Sequence, residues 1–395
     1  MTIKSTPTHF PFLIVFPIIT IILSLLIIPL IQKNNLLNTK NTELHDKYTN
    51  TQKQLADQIN QYQILSQTDQ IVKNQQLQAE ITQIKSLYKS LETTYELITD
   101  LRAQNVKTSD FDKRLAEILN LLGQFKYTEA SDKLKLLSAD IQKKTTALVA
   151  VPAIPANVPV NNSAPSGPGS NRQTVEIDSG KYLVDIISAD LSNTKVIVDT
   201  ASDSTCTNNC PVDSLGAFAT RSGAFAGING PYFCPESYPA CAGKTNSFDT
   251  LLMNKNKIYF NSDNNIYSSV PAAIFSTSSR FIEQSSQWGR DTSVDSVIAG
   301  QPLLVFNGQS RFGGDGDIKK SGKGNRSFIG ASDNTVYIGV VHNASVAETA
   351  QVLAKMGIKN ALNLDSGGST ALWSNGKYLA GPGRNTPFGI LFVRR

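Results

Sequence analysis

The stretch Ala361-Leu-Asn-Leu-Asp-Ser-Gly-Gly-Ser-Thr-Ala-Leu-Trp373 decides how the C-terminal half of the chain reads. An apolar strand runs into Asp365, breaks at Ser366-Gly367-Gly368-Ser369, and resumes as a second apolar run. A carboxylate therefore stands at a strand end, beside a loop whose glycines leave backbone N–H groups uncovered. Successive N–H groups that point the same way form a concave, positive nest suited to an anion.

Working outward, Ser345 and Glu348 form a capping box for a helix over residues 345–356, and Gly357 stops it. On the other side, Asn375-Gly376 between two apolar runs predicts a hairpin. Short β-branched and aromatic runs recur at 182–188, 194–199, 224–228, 250–253, 257–260, 302–306, 335–341, 361–364, 370–374 and 388–393. Few helical patterns interrupt them. The fold class is α+β: a C-terminal domain over 173–395 dominated by mixed or antiparallel sheet.

Upstream the chain changes character repeatedly. Residues 149–172, with five prolines among Ala, Asn, Ser and Gly, form a Pro-rich linker that cannot bury a core. Residues 106–148 read as a helical hairpin. Ser109-Asp110 caps a first helix bearing Leu115, Ile118, Leu119 and Leu122, Gly123 stops it, and Ala130, Leu134, Leu137 and Ile141 mark the second. Residues 32–105 lack Pro and Gly, and Leu77, Ile81, Ile84, Tyr88, Leu91, Tyr95 and Ile98 keep the spacing of a coiled-coil seam. An earlier set, Tyr48, Leu55, Ile59 and Tyr62, is out of register with it. A coiled-coil stalk that joins copies of the chain is expected, with a helix packed back on its own chain as the alternative.

Residues 10–31 are almost entirely apolar, long enough to span a ~30 Å hydrocarbon core, and lack a small-residue cleavage site. They read as an uncleaved single-pass transmembrane anchor behind a short cytoplasmic tail, residues 1–9. Lys4 against Lys33 and Lys40 orients it only weakly. The cysteines decide the side. Cys206, Cys210, Cys234 and Cys241 leave gaps of three and six residues, where zinc would prefer tighter pairs. Disulfides imply an extracytoplasmic domain; of three connectivities, Cys206–Cys210 with Cys234–Cys241 is the local one. The net charge of +5 is scattered, so no basic stripe points to nucleic acid.

The domain's only histidine is His342, which excludes a histidine metal cluster. The surroundings of Ser366 do not fit G-x-S-x-G, and no P-loop pattern exists. Gly313-Gly-Asp-Gly-Asp317 approximates a calcium-binding repeat, but Ile318 takes the aspartate slot; it reads as a surface turn, with calcium the lesser reading and no other cofactor expected. What remains is a set of polar residues at strand ends beside glycines: Asn229, Arg326, Asp365 and Arg384.

Gly227-Ile-Asn-Gly-Pro-Tyr-Phe233, Asn325-Arg-Ser-Phe-Ile-Gly330, the helix 348–357 and Ala361–Ser369 are together similar to the phosphodiester glycosidase family. Ser366 stands where the family has the first glycine of Asp-Gly-Gly-Gly-Ser, and Pro231 where it has a glycine after Asn-Gly. The resemblance implies hydrolysis of a sugar–phosphate diester at the anomeric carbon, on a cell-surface glycan or polymer. On it, Asp365 would act as base or nucleophile, and Arg326 and Arg384 would hold the phosphate. Gly367 and Gly368, with Ser369, would add donors, Asn229 would bind sugar hydroxyls or orient the site, and His342 is a candidate acid or base. A non-catalytic glycan- or wall-binding module on a stalk is the competing class, and a structural partner acting through the coiled coil is a third.

Overall fold

The computed structural model describes residues 12–66, 69–103, 106–148 and 158–395. The expected cytoplasmic tail, the start of the expected anchor and the side chains of residues 12–22 lie outside the described residues. The chain divides into two units, residues 1–83 and 84–395.

The first unit holds helix α1 (Phe12–Ser66) and the start of helix α2 (Asp69–Ala103). Among the described residues no helix is long and apolar enough to cross a membrane. Further along α1, Leu44, Tyr48, Leu55, Ile59 and Tyr62 are all exposed.

In the second unit, the end of α2 packs with α3 (Ser109–Gly123) and α4 (Tyr127–Leu148). Leu87, Ile98 and Leu101 meet Leu115, Ile118 and Leu122 of α3 and Leu134, Leu137 and Ile141 of α4 in one core. Thr94 joins this face through its hydroxyl, 2.9 Å from that of Ser138. Leu91 and Ile98 of the expected coiled-coil seam thus turn inward on the same chain, while Tyr88 and Tyr95 are exposed. The amphipathic hairpin supplies the apolar face that this part of α2 would otherwise seek in another copy. The hairpin's first cap is Thr108, one residue earlier than expected, and its hydroxyl donates to Asp112. Leu119 stays exposed.

The sheet domain opens with β1 (Gly169–Ile177), β2 (Gly180–Asp190) and β3 (Thr194–Thr200). Helix α5 (Leu215–Arg221) then leads to β4 (Ala226–Asn229), β5 (Leu252–Met253) and β6 (Tyr259–Phe260). Next come β7 (Ala272–Phe275), β8 (Ser279–Ile282), β9 (Ser296–Ala299), β10 (Leu303–Phe306) and β11 (Gln309–Ser310). A short α6 (Ile318–Ser321) precedes β12 (Gly324–Ser332), β13 (Thr335–Ala344) and α7 (Val346–Lys355). The chain ends with β14 (Asn360–Asn363), β15 (Leu372–Ser374), β16 (Lys377–Ala380) and β17 (Phe388–Arg394).

The strands form three sheets, ordered β1-β2-β13-β12-β14-β10-β11, β16-β15-β4-β17-β3 and β6-β5-β9-β7-β8, with all strand pairs antiparallel. One face of the first sheet, with Ile187, Ile329, Ile338 and Leu362, packs on Val198, Ile228, Leu372 and Ile390 of the second and Phe275 and Ile298 of the third. Its other face, with Val184, Phe328 and Val341, is covered by Val346, Ala350 and Leu353 of α7. Both faces being buried, β2 is an almost continuous apolar run rather than an alternating one. The α7 capping box is present, and Asn375 and Gly376 both take positive φ, as an Asn-Gly hairpin requires.

The expected linker is shorter than its composition implies. Ala164 N–H donates to Met356 O, Gln173 donates to the carbonyls of Asn161 and Ser163, and β1 begins at Gly169. Backbone pairing with β2 holds this polar segment without burying its first side chains.

The loop after β4 is tightly fitted. A Cβ added at Gly230 would lie 2.0 Å from a ring carbon of Phe388. Gly230→Ala is therefore expected to lower stability by about 1–3 kcal/mol, the usual cost of overpacking, measured by urea denaturation. Unchanged stability would show that Phe388 moves freely.

Candidate functional site

The ends of β4, β12 and β14 meet where the first two sheets face each other. Leu364 N–H donates to Ser327 O, and Asp365 N–H donates to Gly230 O, both at 3.0 Å. Asn229 ties the three segments together. Its Nδ2 donates to Asp365 O at 2.7 Å and Gly230 O at 3.1 Å. Its Oδ1 accepts from the Ser327 hydroxyl at 2.8 Å and from Ala371 N–H at 3.0 Å. The buried amide is thus fully used in holding the backbone of Asp365. It orients the site and offers no free group to a sugar.

After Asp365 the loop geometry explains which glycines matter. Ser366 has φ −137° and ψ −178°, extended backbone open to any residue. Its hydroxyl turns back to Leu364 O at 3.3 Å. Gly367 has φ +64°, where glycine is favoured. At Gly368 an added Cβ would lie 2.3 Å from Arg384 Nη2, so a side chain would displace the guanidinium. The departure at Ser366 therefore leaves the loop's shape intact. Pro231, the other departure, packs against Gly300, where an added Cβ would meet its Cγ at 3.1 Å.

The backbone at Arg384 is set by two contacts. Its N–H donates to Gly368 O at 2.8 Å, and the preceding Gly383 lies against the carbonyls of Ser369 and Thr370. Asp365 keeps part of its surface open, but protein surrounds its carboxyl group, and this loss of water pushes its pKa upward. Hydrogen bonds from Ser369 and the Ser366 N–H, with the charge of Arg384, oppose the rise without cancelling it. The Tyr232 ring is exposed, yet crowding at its hydroxyl raises its pKa to about 12. The charges of Glu96, Asp365 and Asp100 push the same way, and that of Arg384 opposes them.

The other expected residues are placed differently. Arg326 is buried, and its guanidinium donates to Ala344 O at 3.0 Å, to Lys319 O at 2.8 Å and to Gly322 O. Burial without a paired carboxylate lowers its pKa to about 10. It braces α6 and the end of β13, although the charge of Asp365 still reaches it. His342 has both ring nitrogens engaged, Nε2 with Asp185 at 2.8 Å and Nδ1 with Asn325 at 3.0 Å. Asp185 is held in turn by Arg172, and its carboxyl stays below the usual range: burial raises it, but Arg172 and His342 outweigh that. In the turn at 313–317, Asp315 and Asp317 are engaged by Lys320.

Cys206–Cys210 and Cys234–Cys241 are disulfides, the local connectivity. The second one closes a loop that presents Tyr238 at the site. Tyr238 donates to Asp100 Oδ2 at 2.6 Å, and burial, then the charge of Asp100, push its pKa well up. Arg384 Nη2 donates to Asp100 Oδ1 at 2.6 Å. Asp100, Glu96 and Tyr238 were not expected here. A tyrosine enclosed by a disulfide loop was a readable signal; two acids on a long helix were not.

Residues 222–393 match the family model described as phosphodiester glycosidase. This stretch contains every one of the strand-end residues above, and none of the N-terminal helices. Residues 222–393 form a phosphodiester glycosidase domain. No curated protein matches the chain at a significant level. Among solved structures, a hypothetical protein from Synechocystis is 14% identical, with 57% of this chain and 62% of that one covered and a TM-score of 0.40. The zebrafish N-acetylglucosamine-1-phosphodiester alpha-N-acetylglucosaminidase catalytic domain, auto-inhibited by its pro-peptide, is also 14% identical. There the coverage is 60% of this chain and 87% of that one, with a TM-score of 0.46. A putative exported protein from Burkholderia pseudomallei is 11% identical, with 54% and 74% covered and a TM-score of 0.34. The phosphodiester glycosidase domain thus rests on the family model, which spans the Asp365 loop.

Proposed function

We propose that the chain is a hydrolase that cleaves a sugar-1-phosphate diester at the anomeric carbon, with Asp365 as the reacting carboxylate. One observation carries this reading: a carboxylate whose pKa is raised by loss of water sits in the loop against which Arg384 is packed. Arg presents N–H groups in a planar fork that matches a phosphate.

In the reaction, the bond from the anomeric carbon to the phosphate oxygen breaks, and the electron pair leaves with the phosphate monoester. Asp365 either takes a proton from the attacking water or itself bonds to the anomeric carbon before water replaces it. Both routes need it ionised. Ordinary glycosidases require a second carboxylic acid to protonate an alkoxide. A phosphate monoester leaves as a stabilised anion, so a cation facing it can replace that acid. Arg384 fills this role, with the N–H groups of Gly367 and Gly368 beside it, and Ser369 and Asn229 hold the carboxylate in place. Arg326 contributes positive charge from behind, and His342 orders Asn325 and the adjoining strands. No cofactor is invoked.

The disulfides support an extracytoplasmic domain, and the apolar sequence 10–31 supports anchoring it in a membrane. The exposed heptad positions of α1 support a homo-oligomeric stalk. Such a placement suits a glycan or polymer of the cell surface as substrate. The test is hydrolysis of a synthetic alkyl sugar-1-phosphate diester in 18O water. Label in the released sugar, with unlabelled alkyl phosphate, is expected. Label in the phosphate would overturn the glycosidase assignment, and glycan binding without turnover would favour the binding module.

A further inference from the structure

The helical core formed by α2, α3 and α4 shares no apolar side chain with the sheet domain; its members all come from residues 87–141. What joins α2 to the site is charge. Asp100 accepts from Arg384 Nη2 with one oxygen and from the Tyr238 hydroxyl with the other, each at 2.6 Å. Glu96, one turn earlier, pairs with Lys319 Nζ and is almost fully buried. The Lys319 ammonium lies 4.4 Å from the centre of the Tyr238 ring, and the Arg384 guanidinium 5.4 Å from it. Residues four apart share a helix face, so one face of α2 carries two acids onto two cations that flank one tyrosine.

A carboxylate on a guanidinium makes the same kind of charge-assisted contact as a phosphate oxygen. We propose that Asp100 is an internal stand-in for the substrate phosphate: α2 closes the Arg384 subsite at rest, and a phosphodiester must displace it to bind. This rests on the assignment of the phosphate to Arg384 made above. The contact suits a displaceable latch. The helical core and the sheet domain share no apolar side chain that would have to part, and the Arg384 and Asp100 side chains remain 21% and 18% accessible, within reach of a competing anion. Salt also weakens such pairs. Lys319 adds a second cation, freed when Glu96 departs.

The test measures binding of α-glucose 1-phosphate by calorimetry, and KM for the synthetic diester, with the full-length protein. Asp100→Ala is expected to tighten binding and lower KM by roughly tenfold, the weight of one charge-assisted hydrogen bond, with kcat little changed. Glu96→Gln should act in the same direction with a smaller effect, which guards against a local folding defect in the first variant. Arg384→Ala in the Asp100→Ala background should abolish the gain. Weaker binding or higher KM in Asp100→Ala would overturn the proposal and make Asp100 a positioning residue for Arg384. Unchanged binding with normal turnover would also overturn it. Tighter sugar-phosphate binding with no turnover by any form would support the latch and overturn the hydrolase reading instead.

Discussion

Asp365→Asn is expected to reduce turnover of a sugar-1-phosphate diester by at least about 10²–10⁴-fold, the range typical of a lost base. It should also make the protein more resistant to heat at neutral pH. The amide has nearly the shape of the carboxylate, and its oxygen can still accept from Ser366 N–H, now at 2.9 Å. What it lacks is the charge. Loss of water raises the pKa of Asp365 in the folded state above that of an unfolded aspartate. Between those two values the folded chain binds more protons, so stability falls as pH rises. The favourable state is fully present below the unfolded pKa and is lost as pH climbs through the folded one. An amide never ionises. The stability difference between variant and wild type should therefore be small in acid and grow toward neutral pH. The activity of the wild type should show an acid limb displaced upward from the usual carboxylate range, reporting the same group. Thermal scans across pH, with kcat at each pH, check both. A variant that turns over at the wild-type rate, or a stability difference independent of pH, would remove Asp365 from the reacting position.

Which parts of this arrangement were legible in the sequence depended on how local their causes are. The loop after Asp365, the Asn375-Gly376 hairpin and the Ser345/Glu348 capping box are fixed by neighbours a few residues away. The short disulfide loops are equally local. β1 was hidden because its first half is polar and exposed, held by backbone pairing that leaves no apolar pattern. β7 and β9 were hidden by small residues, Ala and Ser, whose burial depends on their place in the third sheet. Arg326 shows a different limit. An arginine at a strand start can face a ligand or its own chain, and the carbonyls of α6 and β13 decide the matter. Asp100 and Glu96 show the hardest case. On a helix they read as a solvated face, and their partners lie 284 and 223 residues away.

The second large effect is expected at Asn229, a residue that never needs to touch substrate. Each of its four hydrogen bonds serves a group that the site requires in place: the carbonyls of Asp365 and Gly230, the Ser327 hydroxyl and Ala371 N–H. Asn229→Ala strips the carbonyl of Asp365, the Ser327 hydroxyl and Ala371 N–H of this partner, while Gly230 O keeps Asp365 N–H, and an unsatisfied buried group costs about 1–3 kcal/mol. Partial relaxation should hold the total to roughly 3–5 kcal/mol, in line with losing a buried hydrogen-bond network. Activity should fall beyond the loss of folded protein, because Asp365 is held through its own backbone and small misplacements of a reacting group are costly. Asn229→Asp separates hydrogen bonding from charge. The introduced acid can still accept from Ser327 and Ala371, but when ionised it faces the carbonyl oxygens of Asp365 and Gly230 with no donor to offer. Its folded pKa is therefore raised, so this variant should approach wild-type stability in acid and lose it as pH rises. Urea denaturation at pH 5 and pH 8, with kcat/KM on the folded fraction, distinguishes the two substitutions. If Asn229→Ala keeps stability within about 1 kcal/mol of wild type, the ordinary range for a point substitution, the amide is not the clamp that aligns the three strand ends.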